Sequence, residues 1–329
     1  MARVSEGRAE VAARELLQIR GWDIARPPKG NLLWRNEYRD FPQLTDCLAL
    51  ASKSGDSEGY PDFIVIDRSR SLPLMIGETK ADPNRIDLAC KEAGNYAREF
   101  IRKGIDVLAV GIAGSAEEHI EVRVQKPENG HWRPIEYRKS PIEWLPTPDE
   151  TQRLLHNPDL FALDPEVPPP EVLEAKADEI NRVLRECHIS DARRPAVVAA
   201  FMLALSRTGG KITNQSEYVL TEINTACRKA FREAGKSEVE DSLTLDEANE
   251  TLQNEAHKII RILRLLNVPT LTGSHDYLGH FTSTSFATPA QTQLANSSRH
   301  ATSPGLWPIL WTCGRRTLSL ILHAALAGF

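Results

Sequence analysis

The chain has 329 residues, 41% hydrophobic and 26% charged, which is enough apolar material for two domains with separate cores and excludes a disordered polymer. A formal charge of −5 gives no global pull toward phosphates, so any nucleic-acid binding has to come from local basic patches. The five cysteines (Cys47, Cys90, Cys187, Cys227 and Cys313) stand singly, without C-x-x-C spacing or nearby histidine pairs. That pattern excludes a disulfide framework and a structural zinc site, and points to reduced, mostly buried thiols.

The N-terminal stretch MARVSEGRAEVAARELL carries acids in an amphipathic pattern and no apolar h-region, so no signal peptide is expected and the location is read as cytoplasmic. The most apolar stretch, 306–329, is interrupted by Gly314-Arg315-Arg316 and leaves runs too short for a bilayer, so no membrane segment is expected.

In chain order, Val4, Val11, Ala12, Leu16 and Ile19 fall at helical spacing and Gly21 stops the pattern, predicting a helix over 4–19. Two short apolar runs, 63–66 and 72–76, bounded by Gly, Pro and Ser, suit strands buried in a sheet and paired through a hairpin over 67–71. A helix over 84–103 ending at Gly104, a buried strand over 107–112, and a hairpin from 120–124 to 132–137 complete an α/β domain over 1–140. Prolines then cluster through 141–170, the pattern of a linker without regular structure. Long helical patterns over 171–205 and 215–267 predict an all-helical second domain spanning 171–281. After Phe281 the composition turns to Ser, Thr, Ala and Gln with no period until a patch from Trp307 to Trp311.

The chemistry concentrates in YPDFIVIDRSRSLPLMIGETKAD, Tyr60 to Asp82. Leu72, Leu74, Ile76, Glu78 and Lys80 alternate, so they share one face of a strand, and Asp62 shares a face with Ile64 and Ile66 on the neighbouring one. If the strands pair, two carboxylates and an ammonium converge at one sheet edge. A hard cation such as Mg²⁺ takes oxygen ligands, here Asp62, Glu78 and the Thr79 carbonyl, and acidifies a bound water that Lys80 orients or deprotonates. The alternative assigns Asp62 to a strand cap and leaves Glu78 and Lys80 as a solvated pair beyond the sheet.

Pro61-Asp62 and Glu78-Thr79-Lys80, with a helix before and after, resemble the PD-(D/E)xK nuclease superfamily. AARELLQIRGW (Ala12 to Trp22) and KEAGNYAREFI (Lys91 to Ile101) resemble the N-terminal nuclease domain of restriction-enzyme polypeptides, including type I restriction subunits. The resemblance implies a PD-(D/E)xK restriction-endonuclease-like fold over 1–140 and a Mg²⁺-dependent endonuclease acting on double-stranded DNA, with a specificity subunit as a further partner. It implies catalytic Asp62, Glu78 and Lys80, and a metal shell of Asp62, Glu78, Thr79 and an acid from the first helix. Glu10 is the candidate for that acid, with Glu6 and Glu15 as rivals. The family's second helix carries a Gln four residues before a Tyr; here Tyr96 fits and Glu92 stands in the Gln position. Trp34, Arg35, Arg39, His131 and Arg133 are candidate DNA-path residues by stacking and phosphate contact. A reading from another class keeps the fold as a DNA-binding or docking module without catalysis.

DYLGHF (Asp276 to Phe281), following a helical domain, resembles N6-adenine DNA methyltransferases of the type I and IIG kind, whose cofactor motif reads DPACGTGG. The chain ends instead in ILHAALAGF, which can be coded so that a one-base shift from the last base of the Leu320 codon reads DPACGTGGF. Residues 282–329 are therefore expected to be an out-of-frame translation of a methyltransferase, poorly ordered and unable to bind S-adenosylmethionine. The nuclease reading also predicts that Asp62→Ala abolishes cleavage while sparing folding, because it removes one of two like charges.

Overall fold

The computed structural model describes residues 6–53, 58–117, 119–164, 166, 168–213 and 215–267. The chain divides into two compact units, the first taking residues up to Pro169 together with Leu265–Asn267, the second beginning at Pro170. Cys313 and the 282–329 stretch lie outside the described residues, as do Asp276 to Phe281.

The first unit is a mixed α/β layer structure. Helix α1 (Glu6–Ile19) is followed by a six-stranded sheet in the order β1-β2-β3-β4-β5-β6, in which β3 and β4 run parallel and every other neighbouring pair is antiparallel. Its strands are β1 (Leu32–Trp34), β2 (Phe63–Asp67), β3 (Leu72–Lys80), β4 (Leu108–Gly114), β5 (Ile120–Glu128) and β6 (His131–Pro134). Helix α2 (Pro42–Leu48) precedes β2, and α3 (Ile86–Arg102) makes the crossover that a parallel β3–β4 pair requires.

The central strands are buried on both faces. Every residue of β4 is buried, as is every residue of β3 after Leu72, which explains why their sequences read as continuous apolar runs. Side chains alternate along β2. Ile64, with Ile76 opposite it, joins Tyr96, Ala97 and Phe100 of α3 in one core. Phe63 packs on the other face over Gly77, where a Cβ would lie 1.9 Å from its ring, and it stacks on Trp34 at 5.7 Å. Arg14 of α1 sits 4.5 Å above the Trp34 ring.

The proline-rich stretch is not the structureless linker that its composition suggests. It carries helix α4 (Pro148–His156), opened by Thr147 in a capping box with Glu150, and its proline stands in the first turn, where no backbone donor is needed. Arg20, just after α1, ties it to the first unit by donating to the Leu145 carbonyl and pairing with Glu150 at 3.0 Å, both side chains buried. Trp22 Nε1 donates to the Pro146 carbonyl, and Lys126 Nζ donates to the carbonyls of Leu154 and Asn157 at the end of α4. The first unit's continuous run therefore extends through residue 169, beyond the expected 140.

Among its described residues the second unit is helical, as its periodicity implies, but two long patterns resolve into four helices: α5 (Pro170–Glu186), α6 (Arg194–Thr208), α7 (Ser216–Glu233) and α8 (Glu250–Leu265). Helix α6 is buried continuously from Val197 to Leu205 and forms the centre, ended by Gly209 in the left-handed conformation. Asn224 holds the loop before α8 by exchanging two hydrogen bonds with the Leu245 backbone. Among the described residues no helix is long and apolar enough to cross a membrane, and Cys47, Cys90, Cys187 and Cys227 are free and buried.

Candidate functional site

The β2–β3 ladder ends at Phe63 opposite Gly77, so Asp62 lies just beyond the end of β2 while Glu78, Thr79 and Lys80 continue β3, paired only with β4. Asp62 replaces the missing ladder bond with its side chain. Its Oδ2 accepts from the Thr79 backbone N–H and the Thr79 hydroxyl, both at 2.7 Å, while its own carbonyl accepts from the Arg35 N–H at 2.9 Å. These bonds fix the carboxylate, and the last of them holds Arg35 at a φ of 49°. Under these contacts Asp62→Ala would orphan a buried Thr79 N–H, which overturns the expectation that this change leaves folding untouched.

Glu78 and Lys80 are 1% and 8% exposed. A solvated pair beyond the sheet is thereby excluded. Glu78 Oε1 accepts from Lys80 Nζ at 2.7 Å and from Lys53 Nζ at 2.5 Å, and Lys80 Nζ also donates to Glu92 Oε2 at 2.7 Å. Lys53 reaches Glu92 at 3.3 Å. Two ammonium groups thus bridge two carboxylates, and Asp62 adds a third carboxylate close enough to act on Glu78 electrostatically.

Burial, and after it the Asp62 charge, push the Glu78 carboxyl from 4.5 to about 7 against the pull of both lysines. Desolvation also acts on Glu92, but this carboxyl is less buried, and its hydrogen bonds and the two ammonium charges outweigh burial and hold it below the usual range. For Lys53, desolvation disfavours the charge and the Glu78 bond outweighs it, raising the ammonium's pKa. Burial, and then Glu78, raise the Tyr96 phenol, which stays neutral and donates to the Tyr60 carbonyl at 3.1 Å, two residues before Asp62.

Asp62, Glu78, Thr79 and Lys80 are therefore brought together. Glu10 of α1 is engaged with Arg35 in an ion pair, and among the described residues no group of three His, Cys, Asp or Glu side chains is spaced to hold a metal ion. Glu15 lies on the same helix, and the Glu6 side chain lies outside the described residues. Of the aromatic and basic candidates, Trp34 is buried under Arg14, Arg39 pairs with Glu58 over the Tyr60 ring, and Arg133 pairs with Glu128 beside Phe161. His131 is exposed on β6.

Two site residues carry no strong sequence signal. Lys53 sits on the loop after α2, upstream of the motif and outside any pattern, and Glu92 is marked only by its place four residues before Tyr96. Whether these groups suit a hard cation turns on one atom: Glu78 Oε2 is buried and has no hydrogen-bond partner. A carboxyl oxygen without a donor, beside a second carboxylate, matches the oxygen-ligand preference of Mg²⁺. No protein-family model matches the chain, and no curated protein and no solved structure matches it.

Proposed function

We propose that the first unit is a metal-dependent DNA nuclease of the PD-(D/E)xK kind, belonging to a restriction-modification polypeptide whose second unit is the front of an N6-adenine methyltransferase. The observation that carries the reading is the meeting of Asp62, Glu78 and Lys80 at one end of β2 and β3, with a buried Glu78 oxygen left without a donor. Asp62 and Glu78 hold the cation. When bound, the ion acidifies a water and offsets charge developing on the phosphate.

The chain's own groups do the positioning. Thr79 fixes Asp62 through two hydrogen bonds, so that carboxylate needs no reorganisation on binding. Glu92 and Glu78 hold the Lys80 ammonium between them, and from there Nζ donates to and orients the attacking water. Glu92 takes the place of the family's Gln, presenting a carboxylate to the lysine where an amide would stand. Methylation is not assigned to this chain, since its sequence holds no S-adenosylmethionine motif.

The test is nicking of supercoiled DNA, methylated and unmethylated, with Mg²⁺ or Mn²⁺. Asp62→Asn keeps an acceptor for Thr79 but weakens metal ligation, so cleavage should fall at least about a hundredfold, and Lys80→Ala should do the same. If wild type cuts and Asp62→Asn cuts equally well, the centre is misassigned. If wild type cuts nothing, the docking-module reading replaces this one.

A further inference from the structure

Lys53 is the unexplained member of the site. Its backbone is pinned, because Asn95 Nδ2 of α3 donates to the Lys53 carbonyl at 2.6 Å. Its side chain is 47% exposed, yet the ammonium reaches in to the 1%-exposed Glu78 carboxylate at 2.5 Å. Lys80 differs on both counts, being buried on β3 and bonded equally at 2.7 Å to Glu78 and Glu92. One of the two cations on Glu78 is therefore built into the strand, and the other is held on a long, half-exposed stem that can leave by side-chain rotation alone.

Charge balance gives this difference a consequence. With Glu78 ionised, as a metal ligand must be, three carboxylates, Asp62, Glu78 and Glu92, face two ammonium groups, Lys53 and Lys80. A divalent ion added to all five groups turns the cluster net positive. A divalent ion that displaces Lys53 leaves the cluster neutral, and frees the Glu78 carboxylate from sharing its charge among three cations. Resting on the nuclease reading above, we propose that Lys53 is a tethered counter-cation that occupies Glu78 in the metal-free protein and must leave when a divalent ion binds. The ammonium thus sets the metal concentration at which the site loads, and keeps Glu78 compensated until then.

The test uses the full chain, freed of metal with a chelator and titrated with Mn²⁺ alone by calorimetry, comparing wild type with Lys53→Met. The substitution keeps the stem and removes the charge, and at a half-exposed position it should leave folding intact, which a thermal melt checks. Competition predicts at least about tenfold tighter Mn²⁺ binding in Lys53→Met, since like charges at one carboxylate repel strongly away from bulk water. A second readout needs no variant: acetylation of Lys53 in wild type, followed by mass spectrometry, should accelerate severalfold when Mn²⁺ is added. Equal or weaker Mn²⁺ binding in Lys53→Met, or acetylation of Lys53 unchanged by Mn²⁺, overturns the competition and leaves the metal site standing. Absence of Mn²⁺ binding in both proteins overturns the metal site and the competition together.

Discussion

Replacing Asp62 separates its chemical role from its structural one. Its Oδ2 accepts two hydrogen bonds from Thr79, whose backbone N–H is at a residue 2% exposed. In Asp62→Ala the hydroxyl can turn to another acceptor, but the N–H cannot, and a buried donor left unpaired costs about 1–3 kcal/mol. Opposing this, removing the Asp62 charge relieves part of the burden on Glu78. The net expectation is a loss of about 2 kcal/mol, or roughly 4–8 °C in melting temperature for a unit of this size. Asp62→Asn retains an acceptor oxygen and should lose under about 1 kcal/mol. The measurement is urea unfolding in the presence of chelator, followed by tryptophan fluorescence, since Trp22, Trp34, Trp132 and Trp144 all lie in the first unit. An Asp62→Ala protein as stable as wild type, or more so, would refute the assignment of Asp62 as the acceptor that closes the β2–β3 ladder.

Glu78 predicts a pH dependence of the metal-free protein. Its folded pKa of about 7 lies above the ordinary 4.5, so the stability tied to its protonated form is full below about 4.5 and is lost as pH rises through about 7, a change on the order of 3 kcal/mol. Glu78→Gln should unfold with less decline across that window, and equal slopes for both proteins would contradict the shift. Arg20→Met leaves the fully buried Glu150 without its cation and should destabilise the first unit by about 3 kcal/mol, with Arg20→Met/Glu150→Met recovering part of that in the same urea assay. For the tail, the gene read one frame over after the Phe281 codon should continue into an N-P-P-F or N-P-P-Y motif; a downstream sequence lacking it in every frame removes the frame-break explanation.

The sequence alone determined the elements whose pattern follows from local chemistry. The 63–66 and 72–76 runs became β2 and β3 because strands flanked on both sides read as unbroken apolar stretches, and α1 and α3 followed from helical spacing closed by glycine. Period-2 alternation puts Glu78 on one face of its strand and Asp62 on one face of the other, and the pairing of β2 with β3, Phe63 opposite Gly77, brings the two to a shared edge. The tertiary structure decided what spacing cannot encode. Proline content marks 141–170 as irregular, yet packing against Arg20, Trp22 and Lys126 makes nearly all of it part of the first unit. Partners such as Arg20 and Leu145, 125 positions apart, leave no local period to read. The short β1 and α2 escaped for want of enough residues to show one. Lys53 and Glu92 joined the site only through folding, since a buried carboxylate draws cations from wherever the chain passes, and nothing in a loop lysine's neighbours announces that it will be one of them.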